Sequence, residues 1–341
     1  MIVLAIETSC DETAVAIMDE NRNILGNKVL SQTNLHEKFG GVVPEIAARS
    51  HVEFLPQLLE DTLAEANLKL NSIDAIAATG GPGLIGGVMV GVMYAKTIAS
   101  VMKKKFIAVN HLEGHALAVR ITEDVEYPYL LLLISGGHCQ TIIAEDLGKY
   151  HVIGRTIDDA VGEAFDKVAK MLDLGYPGGV VVERFAQFGD EKKYVFPKPL
   201  IKKGEHNFSF SGLKTAVRNQ IIKMESISEQ DKADICASFQ YTVAEILNTK
   251  LIEAAKSFSS KFPNSKDVVI SGGVASNLYI RGKLGISMDD LGYRLLYPPI
   301  DLCTDNAAMI AWAAIERLER GCSSNLCFKP KSRWQLNEIT Y

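Results

Sequence analysis

The chain alternates short apolar runs with polar turns in a pattern that occurs twice. Residues 2–6 (IVLAI) are apolar, 7–13 form a polar turn, 14–19 (AVAIMD) are apolar again, and ILGNKVLS (24–31) follows a turn at 20–23. This reads as strand, turn, strand, turn, strand. The same order recurs over 129–154, as YLLLLI, the turn SGGHC, QTIIAE, the turn DLGK, and YHVIG. Next in the first half come DAIAAT (74–79), a GGPG loop (80–83) and a helical apolar stretch to about 101. DVVIS (267–271), GGVASN (272–277) and a shorter helical stretch echo them in the second. Each half closes on a strand-like run, FIAVN (106–110) and YRLLY (293–297). The early runs are offset by 127 residues and the later ones by 193, so the second half carries about 66 additional residues, read as an insertion near 175–232. The pattern predicts an α/β fold of two lobes, 1–125 and 126–341, each a mixed sheet with crossover helices. The last helix is a candidate to pack back on the N-terminal lobe.

Composition narrows the class. With 341 residues, 47% hydrophobic and 23% charged, the chain can bury a sizeable core without disulfides. The net charge of −5 argues against a protein that holds nucleic acid by bulk charge, while leaving room for a local basic patch. None of the six cysteines forms a C-x-x-C pair, which fits reduced thiols of a cytoplasmic protein rather than a zinc ribbon. The N-terminus lacks a basic leader region. The most membrane-like stretch, 83–102, is glycine-rich and broken by Lys96, and reads as a buried helix rather than a span.

Two kinds of chemistry stand out. Glycine turns after strands form backbone N–H nests for phosphate, and three of them fall at equivalent places in two repeats. This arrangement resembles the duplicated two-lobed actin, Hsp70 and sugar-kinase superfamily, which implies a nucleotide cleft between the lobes. Residues 7–13 would be the first phosphate loop, 135–138 the second and 272–277 the adenosine-side turn. The second signal is NHLEGHALA. With Asn110 as N-cap, His111 and His115 fall at i and i+4 on one helix face, a spacing that suits a divalent metal or, alternatively, a solvated polar face. Asp305, expected in the first turn of a helix capped by Thr304, is the best third ligand. Two His and one Asp leave coordination positions open. In HLEGH, Leu112 stands where a zincin would have its glutamate, so a peptidase reading is poor.

Together the motifs resemble the bacterial TsaD (Gcp/YgjD) family of tRNA N6-adenosine threonylcarbamoyltransferases over nearly the whole chain. They are IETSCDETAVAI, GGVVPEIAARSH, TGGPGLIGGVMVG, NHLEGH, LISGGH, DDAVGEAFDKVAK, YPGG, FSFSGLKTA, SGGVASN and CTDNAAMIA. The resemblance implies transfer of a threonylcarbamoyl group from threonylcarbamoyl-AMP to N6 of adenosine 37 in tRNAs reading ANN codons. It implies one divalent metal, iron(II) ahead of zinc(II), on His111, His115 and Asp305. Leu133, Ile134, Ser135, Gly136, Gly137, Asp166, Gly179, Glu183 and Asn277 match substrate contacts. Partners implied are tRNA with a TsaB-like paralogue and a TsaE-like ATPase, or a homodimer, and no membrane. The apolar stretches 40–63 and 83–99 could supply such an interface or could be core. Val180, Glu183 and Cys139 depart from the family's usual Pro, Asp and Thr.

Because the anhydride carries its own leaving group, no nucleophilic side chain is required. Asp11 and Glu12 are candidate bases, or caps of a tight turn; Lys167 is a further candidate or an ion-pair partner. Residues 191–218 hold seven Lys and Arg (192, 193, 198, 202, 203, 214 and 218) against two acids, interleaved with Tyr194, Phe196, Phe208 and Phe210. This reads as a tRNA-stacking surface or as a solvated loop with core anchors. KPKSRW (329–334) is a second basic patch. A small-molecule kinase of the same superfamily and a non-catalytic paralogue remain as alternatives.

Overall fold

The structure, a computed structural model, describes residues 1–199 and 204–339. Its strands are β1 (Ile2–Glu7), β2 (Glu12–Asp19), β3 (Ile24–Ser31), β4 (Ala75–Gly81), β5 (Lys105–Asn110), β6 (Tyr129–Ile134), β7 (Cys139–Asp146), β8 (Lys149–Arg155), β9 (Asp267–Ser271) and β10 (Arg294–Leu296). Its α-helices are α1 (Thr33–His36), α2 (Pro44–Glu65), α3 (Ile85–Met102), α4 (His111–Leu117), α5 (Val161–Met171), α6 (Gly178–Ala186), α7 (Ser211–Ile222), α8 (Glu229–Lys261), α9 (Leu278–Asp290), α10 (Ile300–Cys303) and α11 (Ala307–Glu319).

The sequence repeat is a structural one. One five-stranded sheet runs β3-β2-β1-β4-β5 and the other β10-β9-β6-β7-β8, the same order read from opposite ends. In each, the central strand pairs antiparallel with the next strand of its meander (β1–β2, β6–β7) and parallel with a crossover strand (β1–β4, β6–β9). The inner strands β1, β4 and β6 are apolar without strict alternation because both their faces are covered. In the first sheet Leu4, Ile6, Val15, Ile17 and Ile76 face Leu55 and Leu58 of α2 and Val88 and Val92 of α3. The opposite face, with the smaller Ala5, Ala14 and Ala16, receives α11, which packs on β1 and β2.

The chain divides into two compact units, Met1–Asp124 with Asp146–Tyr150 and Thr304–Tyr341, and Val125–Glu145 with His151–Cys303. The second unit has its own core, in which Leu130, Leu132 and Ile270 of the sheet meet Phe165 of α5 and Phe239 and Leu247 of α8. Residues 175–232 carry α6, α7 and the start of α8. Among the described residues α3 alone is long and apolar enough to cross a membrane, and its Gly87, Val88, Gly91, Val92, Ala95 and Ala99 are buried in the protein.

Candidate active site

The first unit gathers the metal-type residues. Strand β5 ends at Asn110, whose side-chain oxygen accepts from Leu112 N (2.9 Å) and Glu113 N (3.3 Å) and so starts α4. His111 is the first residue of that helix and His115 lies one turn on, their rings 4.7 Å apart edge to face. Asp305 Oδ1 lies 3.5 Å from His111 Nε2 and 3.1 Å from His115 Nε2, and the three donors fall within 4.8 Å of one another. Asp305 is not in the first turn of α11, and Thr304 is not its cap. Asn306 is the cap, its side chain accepting from Met309 N at 2.9 Å, so Asp305 stands one residue outside the helix. Thr304 is two residues too early to reach that N–H.

The donor set fits a divalent ion. Bond lengths of about 2.0–2.2 Å at tetrahedral angles place neighbouring ligand atoms roughly 3.3–3.6 Å apart, close to the two spacings here. A further support was invisible in the sequence. Glu7, fully buried at the end of β1, holds His111 Nδ1 at 2.9 Å and also accepts from Thr79 Oγ1 and Ser9 N. This fixes the ring so that Nδ1 faces the carboxylate and Nε2 faces Asp305, the carboxylate–histidine arrangement common behind metal ligands. Burial opposes protonation of His111, but the carboxylates of Asp305 and Glu7 outweigh it and raise its pKa to about 9. Burial alone would raise the pKa of Glu7, yet the adjacent His111 pulls it below the usual carboxylate value.

Between Glu7 and β2 the chain turns through Asp11 and into Glu12. Burial first, then the neighbouring Asp11, pushes the Glu12 carboxyl well above its ordinary value. The turn rests on α3: Leu84 N donates to Ser9 O (2.8 Å), and a Cβ at Gly87 would collide with Thr8 O. His51 of α2 braces it from the other side, contacting Cys10 O (3.1 Å) and Thr13 Oγ1 (2.8 Å). Glu113 belongs to a different network. It is ion-paired with Arg317 and accepts from Tyr150 Oη at 3.0 Å, which agrees with HLEGH not being a zincin motif.

The second unit holds the remaining expected contacts. Leu133 and Ile134 are fully buried strand residues that lead into the turn. Ser135, Gly136 and Gly137 form the β6–β7 turn. Ser135 N donates to His138 O (2.8 Å), and open space surrounds both glycines where a Cβ would stand. Asp166 Oδ1 accepts from Gly178 N (2.8 Å) at the start of α6, beside Gly179. Glu183 and Asn277 converge on the start of α9. Glu183 Oε1 accepts from Leu278 N (2.7 Å), Asn277 Oδ1 from Ile280 N (2.9 Å), and Asn277 Nδ2 donates to Gln240 Oε1 (2.8 Å). A cavity of about 380 Å³ opens there, lined by Glu183, Glu191, Gln240, Leu278 and Tyr279. Thus Glu183 lines the cavity, while Asn277 lies beside it at the start of α9 with both ends of its amide already engaged.

Of the two readings of the aromatics in 191–218, the structure bears out core anchors rather than a stacking surface. Phe196, Phe208 and Phe210 are buried in the core of the second unit, leaving only Tyr194 partly accessible. Lys198 pairs with Glu245 (3.1 Å) and Lys214 with Asp159 (2.6 Å); Lys192, Lys193 and Arg218 are exposed, while Lys202 and Lys203 lie outside the described residues. Lys167 is taken by Asp159 (2.9 Å) and Glu163 (2.6 Å).

Two α/β units of like strand order, with glycine turns at the strand ends, define the class of duplicated actin- and Hsp70-like folds. The protein solved as "full-length HypF in the phosphate- and nucleotide-bound form" shares this fold. It has a TM-score of 0.61 at 13% identity, over 93% of this chain and 56% of that one. So does component A of the (R)-2-hydroxyglutaryl-CoA dehydratase of Acidaminococcus fermentans, with a TM-score of 0.51 at 16% identity, over 94% and 99%. Sequence goes further than fold. The family profile described as "TsaD: tRNA N6-adenosine threonylcarbamoyltransferase" matches residues 23–312. The tRNA N6-adenosine threonylcarbamoyltransferase of Rickettsia rickettsii (strain Sheila Smith) is 55% identical over 340 residues, 99% of both chains. That of Rickettsia peacockii (strain Rustic) is 56% identical over the same length. The chain belongs to the TsaD family of tRNA-modifying transferases.

Proposed function

We propose that the chain transfers the threonylcarbamoyl group from threonylcarbamoyl-AMP to N6 of adenosine 37 in tRNAs that read ANN codons. The observation that carries this reading is the His111–His115–Asp305 cluster with Glu7 behind it, on a chain 55% identical to named transferases. In the reaction the N6 nitrogen forms a bond to the carbamoyl carbon, the bond from that carbon to the phosphate oxygen breaks, AMP leaves, and one N6 proton must go to a base. Glu12 is the proposed acceptor and Asp11 the second candidate; burial and the neighbouring Asp11 raise the Glu12 pKa, which suits a proton acceptor. The backbone N–H groups of the Ser135–Gly136–Gly137 turn would receive developing negative charge. Asp166, Gly179, Glu183 and Asn277 would shape the nucleotide end. A divalent metal, iron(II) ahead of zinc(II), held by His111, His115 and Asp305, would act as a Lewis acid toward the threonylcarbamoyl group.

The chain is proposed to work in the cytoplasm with a TsaB-like paralogue and a TsaE-like ATPase, a homodimer being the alternative. Support comes from an apolar stripe on α3, Ile85, Met89 and Met93, each about half exposed, with Val52 of α2 exposed as well. The deciding experiment incubates the protein and its partners with threonylcarbamoyl-AMP and unmodified tRNA, then digests the tRNA for mass spectrometry. Threonylcarbamoyladenosine that disappears in His111→Ala and His115→Ala supports the reading. Absence of product with all partners present overturns it.

A further inference from the structure

The segment after α11 runs back along the first sheet. Ser324 N donates to Phe106 O (2.8 Å) and Ser324 Oγ accepts from Ala108 N (3.0 Å), covering β5, the edge strand. Farther on, Lys331 N donates to Gly80 O (2.9 Å), Gly83 N donates to Ser332 O (3.3 Å), and Lys96 Nζ donates to Phe328 O. The rings of Phe328 and Trp334 lie 5.6 Å apart over Gly80, where a Cβ would come within 2.7 Å of the Phe328 ring. Trp334 is buried and its carbonyl accepts from Asn110 Nδ2 at 2.9 Å. Asn110, fully buried, is also the cap of α4.

We infer that Asn110 is a positioning residue of the His–His–Asp site, held in register by the C-terminal segment. One side-chain amide does two jobs. Its nitrogen is tied to Trp334 O, which leaves its oxygen facing Leu112 N and Glu113 N; a flipped amide would present donors to donors. The helix it starts has seven residues, too few to hold itself, and His111 is its first. A loosened first turn therefore moves His111 before anything else. The basic patch read in KPKSRW is thus partly a strap, with Lys331 over the Trp334 ring at 4.5 Å.

This inference rests on the metal reading of the site, and the test separates the two. The full chain is prepared metal-free and titrated with cobalt(II), following the visible absorption bands and the dissociation constant by chelator competition, alongside a metal-free melting curve. Asn110→Ala and Trp334→Ala are expected to weaken cobalt binding roughly 10- to 100-fold, as loss of an outer support does, and to change the bands. Asn110→Asp keeps the helix cap but cannot donate to Trp334 O, and should fall between Asn110→Ala and the wild type. It serves also if Asn110→Ala does not fold. Phe328→Leu loosens the same strap away from Asn110 and should lower the melting temperature with cobalt affinity unchanged. The inference is overturned if the Asn110 variants bind cobalt as the wild type does, or lose no more affinity than Phe328→Leu at equal loss of melting temperature. A wild-type chain that binds no cobalt overturns the metal reading instead.

Discussion

Replacing Glu113 by glutamine separates structure from chemistry in HLEGH. The Glu113 carboxylate is fully buried and ion-paired with Arg317, whose side chain is 6% exposed. Arg317 Nη1 also donates to Ala108 O (3.0 Å), and next to it Arg120 Nε donates to Glu316 Oε1 (2.7 Å). These bonds join α11 to α4 and β5 beneath the histidines. Glutamine keeps the volume and the acceptor for Tyr150, so packing is preserved and the main loss is the counter-charge of a buried guanidinium. Breaking such a pair from one side costs about 3–5 kcal/mol. At roughly 2–4 °C per kcal/mol for a unit of this size, the melting temperature should fall by about 6–20 °C. Arg317→Met added to Glu113→Gln removes the stranded charge and should recover part of that loss, since an apolar replacement of a whole buried pair is often neutral. Metal-free thermal melts of the four proteins of the cycle measure it. A single variant melting within about 2 °C of the wild type, or a double variant no better than the single, refutes the reasoning. Unchanged melting with lost transfer would instead put Glu113 in the reaction.

Glu7→Gln should leave the fold intact and weaken metal binding about 10- to 100-fold, measured by chelator competition, because a neutral amide no longer fixes His111 Nδ1 as the donor. The Glu12 carboxyl is shifted upward, so its basic form appears only at a pH above the ordinary carboxylate range; transfer should rise with pH through that shifted value. Glu12→Gln should abolish this limb and slow transfer about 100-fold or more in single-turnover assays. Lys192→Ala and Lys193→Ala should weaken tRNA binding and each reduce its salt dependence by about one unit of slope. Phe208→Ala should instead cost roughly 3–5 kcal/mol of stability and leave tRNA affinity at low temperature unchanged, by filter binding and melting.

What could be read in advance was what neighbours in the chain decide. The strands were legible because apolar runs such as 129–134 can be satisfied only inside a covered sheet, and the repeat gave each run a counterpart. The histidine pair was legible because helical spacing puts residues four apart on one face and Asn110 marks where the helix begins. Asp305 was misplaced by a local ambiguity: Thr304 and Asn306 are both capping residues, and reach to the N–H of Met309 chooses the later one. For Phe208 and Phe210 the flanking basic residues leave two readings open, a stacking surface or core anchors, and the structure decides for the anchors. The chain bridges Thr156 at Phe208 and turns both rings into the core. Glu7 lies 104 residues from the histidine it holds and Trp334 lies 224 from the asparagine it fixes, and no periodicity spans such gaps. The two histidines of this cluster are therefore legible in one helix, whereas Asp305 comes from the turn before α11. The Glu7 carboxylate and the Trp334 carbonyl that aim the helix reach it only once the sheet has formed. A variant that keeps NHLEGH and loses either support should retain the motif and lose the metal.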